Sequence, residues 1–139
     1  MNTITMQQAA RVLTGKNPVI RIQRPAYSRA DGCTFKGTDG RIYVDLSPAL
    51  IGNGKLVDVL LHELAHVKLH ADRYTPSDPG ATPASVQTIN PSPLQAAAMQ
   101  QQEHEAETLA AQWLKLATWA GCETKPESRI VTLIYKSMR

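Results

Sequence analysis

The sequence predicts an α+β fold, in which a small antiparallel sheet packs on a helix carrying two histidines and on a second, carboxylate-bearing helix. Two observations lead there. Short strand-like stretches with turn residues between them fall between residues 19 and 46, and long helical patterns occupy residues 55–71 and 94–120. At 139 residues the chain suits one domain with one core. Aromatic residues make up 5%, so that core is built chiefly from Leu, Val, Ile and Ala.

Residues 5–14 (TMQQAARVLT) form the first expected helix, stopped by Gly15. Residues 19–24 (VIRIQR) alternate with period two and predict a strand, broken by Pro25. The stretch CTFKG-TDG-RIYVDLS predicts a hairpin turning at Asp39-Gly40, with its second strand over 41–46. Together these predict an antiparallel sheet over residues 19–46. Ser47-Pro48 opens a turn or a short helical piece, interrupted by Gly52-Asn53-Gly54. The strongest apolar helical pattern then runs from Lys55 to about Ala71. Residues 72–93 hold five of the nine prolines, and such a long connection predicts a mobile insertion. A second long helix is expected from Leu94 to about Ala120, ended by Gly121, and a last one after Pro126.

Composition narrows the function classes. Residues 1–60 hold eight Lys/Arg against four Asp, and residues 61–139 hold seven against eight Asp/Glu, for a net charge of +3. A nucleic-acid binder of this size shows a denser basic stripe interleaved with aromatics, so no direct nucleic-acid contact is expected. No run is long and apolar enough for a membrane helix, and the N-terminus lacks a signal-peptide core. Cys33 and Cys122 form no metal or disulfide framework and are expected as small core or boundary residues, which fits a reducing cytoplasm. Trp113 is expected in the core.

Inside the first long helix stands His62-Glu63-Leu64-Ala65-His66, an HExxH motif. Histidines four apart on a helix point the same way, one turn above each other, so their ring nitrogens can meet one small ion. Glu63 lies at the edge of that face, within reach of a water on the ion without being a ligand. Two imidazoles plus one carboxylate, with an open fourth position, suit Zn²⁺. His70 is carried about 6 Å further along an unbroken helix than His66, so it is expected as a helix-terminal or supporting residue.

The third ligand is sought on the second long helix, where Glu103, His104, Glu105 and Glu107 stand close together. On a helical wheel Met99, Ala106, Ala110, Trp113, Leu114 and Ala117 share one face. Glu103 falls within about 40° of its centre, whereas Glu105 and His104 point away. A carboxylate in a core-facing stripe is costly unless paired, and a metal ion removes that cost. The wheel therefore selects Glu103. Glu107, one turn on, is placed to accept from the second nitrogen of a ligand histidine, or else is a solvated helix residue.

HELAHVKLH followed by Glu103-x-x-Ala106-x-x-Leu109-Ala110 resembles the ImmA/IrrE-type metallopeptidases, whose pattern is HExxH and then a helix with E-x-x-A-x-x-F-A. Their third zinc ligand maps onto Glu103. The resemblance covers roughly residues 1–120, and its specific part is the two helices. It implies a zincin-like fold of the gluzincin type and zinc-dependent cleavage of an intracellular protein such as a repressor. The catalytic half of ArdC-type antirestriction proteins is also similar. Leu109 replaces the usual Phe, and the 139 residues carry no helix-turn-helix or single-strand DNA-binding part, so recruitment through such a part is not implied.

The expected chemistry is peptide hydrolysis, with His62, His66 and Glu103 on zinc and Glu63 as the base. His70, Tyr74 and His104 are the candidates for an oxyanion donor. The strand Ile42–Asp45 reads equally as an edge that receives an extended peptide and as a core strand. The alternative function is a non-catalytic, zinc-containing interaction module in regulation or DNA defence. The intact Glu63 favours the enzyme, because zinc binding alone needs only the ligands.

Overall fold

The computed structural model describes residues 3–25, 31–51, 54–74, 76, 92–117 and 126–138. Among these, four helices and a three-stranded sheet make up an α+β fold: α1 (Thr3–Thr14), β1 (Val19–Ile22), β2 (Gly32–Lys36), β3 (Ile42–Leu46), α2 (Leu56–Leu69), α3 (Pro93–Ala117) and α4 (Pro126–Ser137). Short 3-10 turns follow β3 (Pro48–Leu50) and α2 (Ala71–Arg73). No described helix is long and apolar enough to cross a membrane.

α2 is the centre of the molecule. Leu60, Leu61, Leu64 and Val67 are fully buried, and the helix is apolar on nearly every side because it touches β2, β3, α1, α3 and α4. α1 contributes Met6, Ala9, Ala10 and Leu13, one helical face, and packs on α2 and on Ile130 and Leu133 of α4. Gly15 ends α1 with a φ of 71°, which only glycine adopts freely, and its N–H donates to the Arg11 carbonyl at 3.0 Å. Lys16 then reaches across to the last turn of α2, where its ammonium donates to the Val67 carbonyl at 3.1 Å and pairs with Asp72 at 3.2 Å.

The sheet is mixed, not antiparallel as the sequence predicts. Its order is β1-β3-β2, with β2 antiparallel and β1 parallel to β3. The hairpin is as expected: Gly40, at φ 82°, donates its N–H to the Gly37 carbonyl, and Asp39 accepts from the Arg41 N–H. β1 occupies the other edge of β3. Ile22 and Gly32 both register with Leu46, so the chain leaves β1 and enters β2 at the same end of β3. That makes the two outer strands antiparallel to each other, and hence β1 parallel to the strand between them. Alternation in one strand carries no information on this choice. β3 is therefore the central strand, which removes the reading of Ile42–Asp45 as a peptide-receiving edge.

Ile20, Val44, Leu46 and Thr34 face the helices, whereas Val19, Cys33, Phe35 and Tyr43 form a second buried cluster. On that second face Phe35 and Tyr43 stack at 5.3 Å, and the Arg21 guanidinium sits 4.7 Å from the Tyr43 ring centroid.

α3 has 25 residues against 14 in α2, about 37 Å against about 21 Å of helix. Only its second half finds cover: Ala106, Ala110, Trp113 and Ala117 are buried, and Met99 is exposed. The expected core role of Trp113 holds, as does the burial of Cys33. The expectations for Cys122 and for the ends of the long helix near Ala120 and Gly121 lie outside the described residues. So does most of the 72–93 insertion; of its first residues, Asp72 and Arg73 belong to the 3-10 turn after α2.

Candidate metal centre

α2 presents His62 and His66 one turn apart, their ring centroids 4.9 Å from each other. α3 crosses above them and lowers Glu103 between the two rings. His62 Nε2 lies 3.0 Å from Glu103 Oε2, and His66 Nε2 lies 3.0 Å from Glu103 Oε1. One ligand atom from each of the three residues fits within a 4.8 Å span. Two imidazole nitrogens and a carboxylate oxygen are the donor set of a catalytic zinc site, in which tetrahedral donors stand about 3.3 Å apart. The sequence-selected trio is brought together by the fold.

The depth of Glu103 differs from expectation. Its side chain is 57% exposed, because it belongs to the half of α3 that overhangs the core. The wheel gave its direction, towards α2, but the argument from burial does not apply. What holds Glu103 is electrostatic. The two imidazoles hold its carboxyl far below the usual carboxylate range, and Glu103 in turn raises the pKa of His62.

Glu63 points to the other side of His62, towards the sheet, and is 7% exposed. Thr34 Oγ1 on β2 donates to its Oε2 at 3.0 Å. Burial pushes the Glu63 carboxyl above its ordinary range, opposed by His66, His62 and the Thr34 hydroxyl. Gly32 packs directly on this residue: a Cβ there would lie 3.0 Å from Glu63 Cγ and 2.9 Å from Val59 Cγ1. An open groove lined by Asp31, Gly32, Asp58, Val59, His62, Glu63 and Glu103 leads from the start of β2 to His62 and Glu103.

Behind the trio, Glu107 takes the solvated one of its two readings, and His70 stands where a supporting residue is expected. Glu107 stays exposed, and its charge contributes only a minor part of the upward shift of His62. His66 Nδ1 faces His70 Nδ1 at 3.1 Å, and His70, 1% exposed, turns its Nε2 towards Glu105 Oε1 at 3.4 Å. Glu105 thus points inward, against the wheel reading. It stands about 100° round α3 from Ala106 in one direction and Glu103 about 60° in the other, so the two carboxylates straddle the buried face. A long side chain lets Glu105 reach a residue one turn beyond His66. Burial lowers the pKa of His70, with His66 adding to the effect.

Among the oxyanion candidates, His104 is exposed and His70 is engaged behind His66. Tyr74 follows the 3-10 turn after α2. Burial raises its phenol pKa, and Glu63, Glu103 and Cys33 raise it further, so its side chain lies within the field of both carboxylates. Burial also pushes the Cys33 thiol up to about 12, with Glu63 and Asp45 adding to it. The chain was compared with protein-family models, curated proteins and solved structures, and none matches.

Proposed function

We infer that this chain is a zinc-dependent endopeptidase of zincin-like fold, similar to the ImmA/IrrE-type metallopeptidases, acting on a protein in the cytoplasm. The observation that carries this reading is the convergence of His62, His66 and Glu103 beside a buried Glu63 that is not one of the three converging donors. A site needed only to hold an ion has no use for a second acidic group kept dry and aimed by a threonine, and this favours an enzyme over a non-catalytic module.

His62 and His66 would hold the ion through Nε2, and Glu103 through a carboxylate oxygen. Zinc, when bound, lowers the pKa of water towards about 7 and polarises the scissile carbonyl. Thr34 occupies Glu63 Oε2, which leaves Oε1 to take the proton of the attacking water and pass it to the leaving amine. The raised pKa of Glu63 brings that exchange closer to neutrality. Of the three candidate donors to the carbonyl oxygen, Tyr74 is the one neither exposed like His104 nor engaged behind His66 like His70. β2, an outer strand whose Gly32 end borders the groove, is where an extended peptide would add to the sheet.

The test has two parts. Elemental analysis of protein purified without chelator is expected to give about one zinc per chain, much reduced in Glu103→Ala. Digestion of a proteome-derived peptide library, read by mass spectrometry, is expected to give cleavage by the wild type and none by Glu63→Gln, with zinc retained. Wild-type protein free of zinc, or cleavage undiminished in Glu63→Gln, overturns the reading.

A further inference from the structure

The three histidines of α2 do not stand alone: beyond the ligand pair, a third imidazole and a second carboxylate continue the line. Glu103 Oε1, His66 Nε2, His66 Nδ1, His70 Nδ1, His70 Nε2 and Glu105 Oε1 follow one another with gaps of 3.0, 3.1 and 3.4 Å between residues. The inner part is dry, since His66 is 6% and His70 1% exposed. His70 Nε2 is a buried atom without a formed hydrogen bond, because the contact to Glu105, although close, falls short of one. A buried polar atom left in that state is costly and calls for a physical reason.

Counting hydrogens supplies the reason. Suppose neutral His66 carries its hydrogen on Nε2 and donates it to Glu103. His66 Nδ1 is then bare and accepts from His70 Nδ1–H, and His70 Nε2 turns a lone pair towards the Glu105 carboxylate. Two acceptors face each other inside the protein. Now suppose the His66 Nε2 lone pair is turned to a cation. Its hydrogen moves to Nδ1 and is donated to His70 Nδ1, which places the His70 hydrogen on Nε2, facing Glu105. Every donor then meets an acceptor.

We propose that His70 and Glu105 are positioning residues for the metal site, forming a relay that holds His66 as its Nδ1–H tautomer with Nε2 free for a divalent cation. The proposal rests on the zinc reading above and adds to it two residues that touch neither ion nor substrate. It also accounts for a fully buried histidine at the end of α2 and for a carboxylate that α3 turns inward on the flank opposite Glu103.

The test compares wild type, Glu105→Ala and Glu105→Gln. The Glu105 side chain is 43% exposed, so these variants avoid the cavity that replacing His70 would open. Zinc affinity is measured by competition with a chromogenic chelator, the thermal midpoint on the metal-free proteins, and the imidazole tautomers by ¹H–¹⁵N long-range correlation spectra of the zinc-loaded proteins. Glu105→Ala is expected to weaken zinc binding by about 10-fold with its metal-free midpoint unchanged, and Glu105→Gln, which keeps an acceptor, to recover part of the loss. The wild-type spectra are expected to show His66 hydrogenated at Nδ1 and His70 at Nε2. Equal zinc affinity in wild type and Glu105→Ala, or a His70 hydrogen found on Nδ1, overturns the relay while leaving the zinc site standing. A wild type that takes up no zinc overturns the zinc reading itself and the relay with it.

Discussion

Thr34 on β2 and Glu63 on α2 are joined twice: the threonine hydroxyl lies 3.0 Å from Glu63 Oε2 and 3.2 Å from the Glu63 carbonyl. The contact ties the central helix to an outer strand at the residue whose carboxylate is assigned the proton transfer. Valine in place of Thr34 keeps the shape and the strand preference but removes the donor. Thr34→Val is expected to destabilise the metal-free protein by about 1–3 kcal/mol, because it leaves a buried carboxyl short of a partner. Thr34→Ser is expected to recover most of that. Urea denaturation of the three proteins measures both effects, and a Thr34→Val protein as stable as the wild type would show that the bond does not hold Glu63.

Gly32 matters for its missing side chain. An alanine there would press a Cβ to 2.9 Å from Val59 Cγ1 and 3.0 Å from Glu63 Cγ. The Val59 side chain is β-branched and stiff, so Glu63 or the strand has to yield. Gly32→Ala is expected to cost about 1–3 kcal/mol. It should lower peptide cleavage with zinc content unchanged, since the atoms the new methyl presses on belong to Val59 and Glu63 and not to one of the three proposed ligands. Zinc analysis beside a cleavage assay separates the two effects. Loss of both together would mean that the strand itself had moved.

The convergence of His62, His66 and Glu103 was legible in the sequence because each choice was local. His62 and His66 share a face through the i, i+4 spacing, and Glu103 shares a stripe with Ala106 and Ala110. Glu105 was misread for a reason outside any one helix: α3 is offset over α2, so residues on both flanks of its buried face reach down. The wheel also could not show that α3 overhangs the core, which left Glu103 and Met99 more exposed than their stripe implies. The parallel pairing of β1 was hidden in the same way. Asp39-Gly40 specifies the β2–β3 hairpin, but nothing in VIRI names a partner or a direction.

Glu63 gives the stability of the metal-free protein a definite pH dependence. Burial raises its folded pKa above the ordinary value of 4.5. Below 4.5 the carboxyl is protonated in both states and imposes no penalty. As pH rises from there through the folded pKa, the unfolded chain ionises first, and the stability associated with this group is lost. Glu63→Gln keeps the side-chain shape without the charge. The difference in thermal midpoint between Glu63→Gln and wild type is therefore expected to be small at pH 4 and to grow in favour of the variant towards pH 7. A difference that stays flat across this range would mean that water or His62 already compensates the charge.

On the face of the sheet away from the helices, Arg21 of β1 meets Asp45 of β3 through two hydrogen bonds, 2.6 Å from Nε and 2.8 Å from Nη2. These residues register directly across the parallel pair, and the Asp45 side chain is only 3% exposed. The pairing raises the pKa of Arg21. Truncating one partner of such a pair leaves the other charge buried, which costs far more than the pair contributes when intact. Arg21→Met is accordingly expected to destabilise the protein by about 3–5 kcal/mol. The double variant Arg21→Met, Asp45→Leu is expected to recover most of that loss, because the site then joins the apolar cluster of Phe35, Tyr43 and Val19. Denaturant titration of the wild type and both variants reads the result. If the double variant is no more stable than Arg21→Met, the loss came from the guanidinium's packing on Tyr43 and not from the stranded carboxylate.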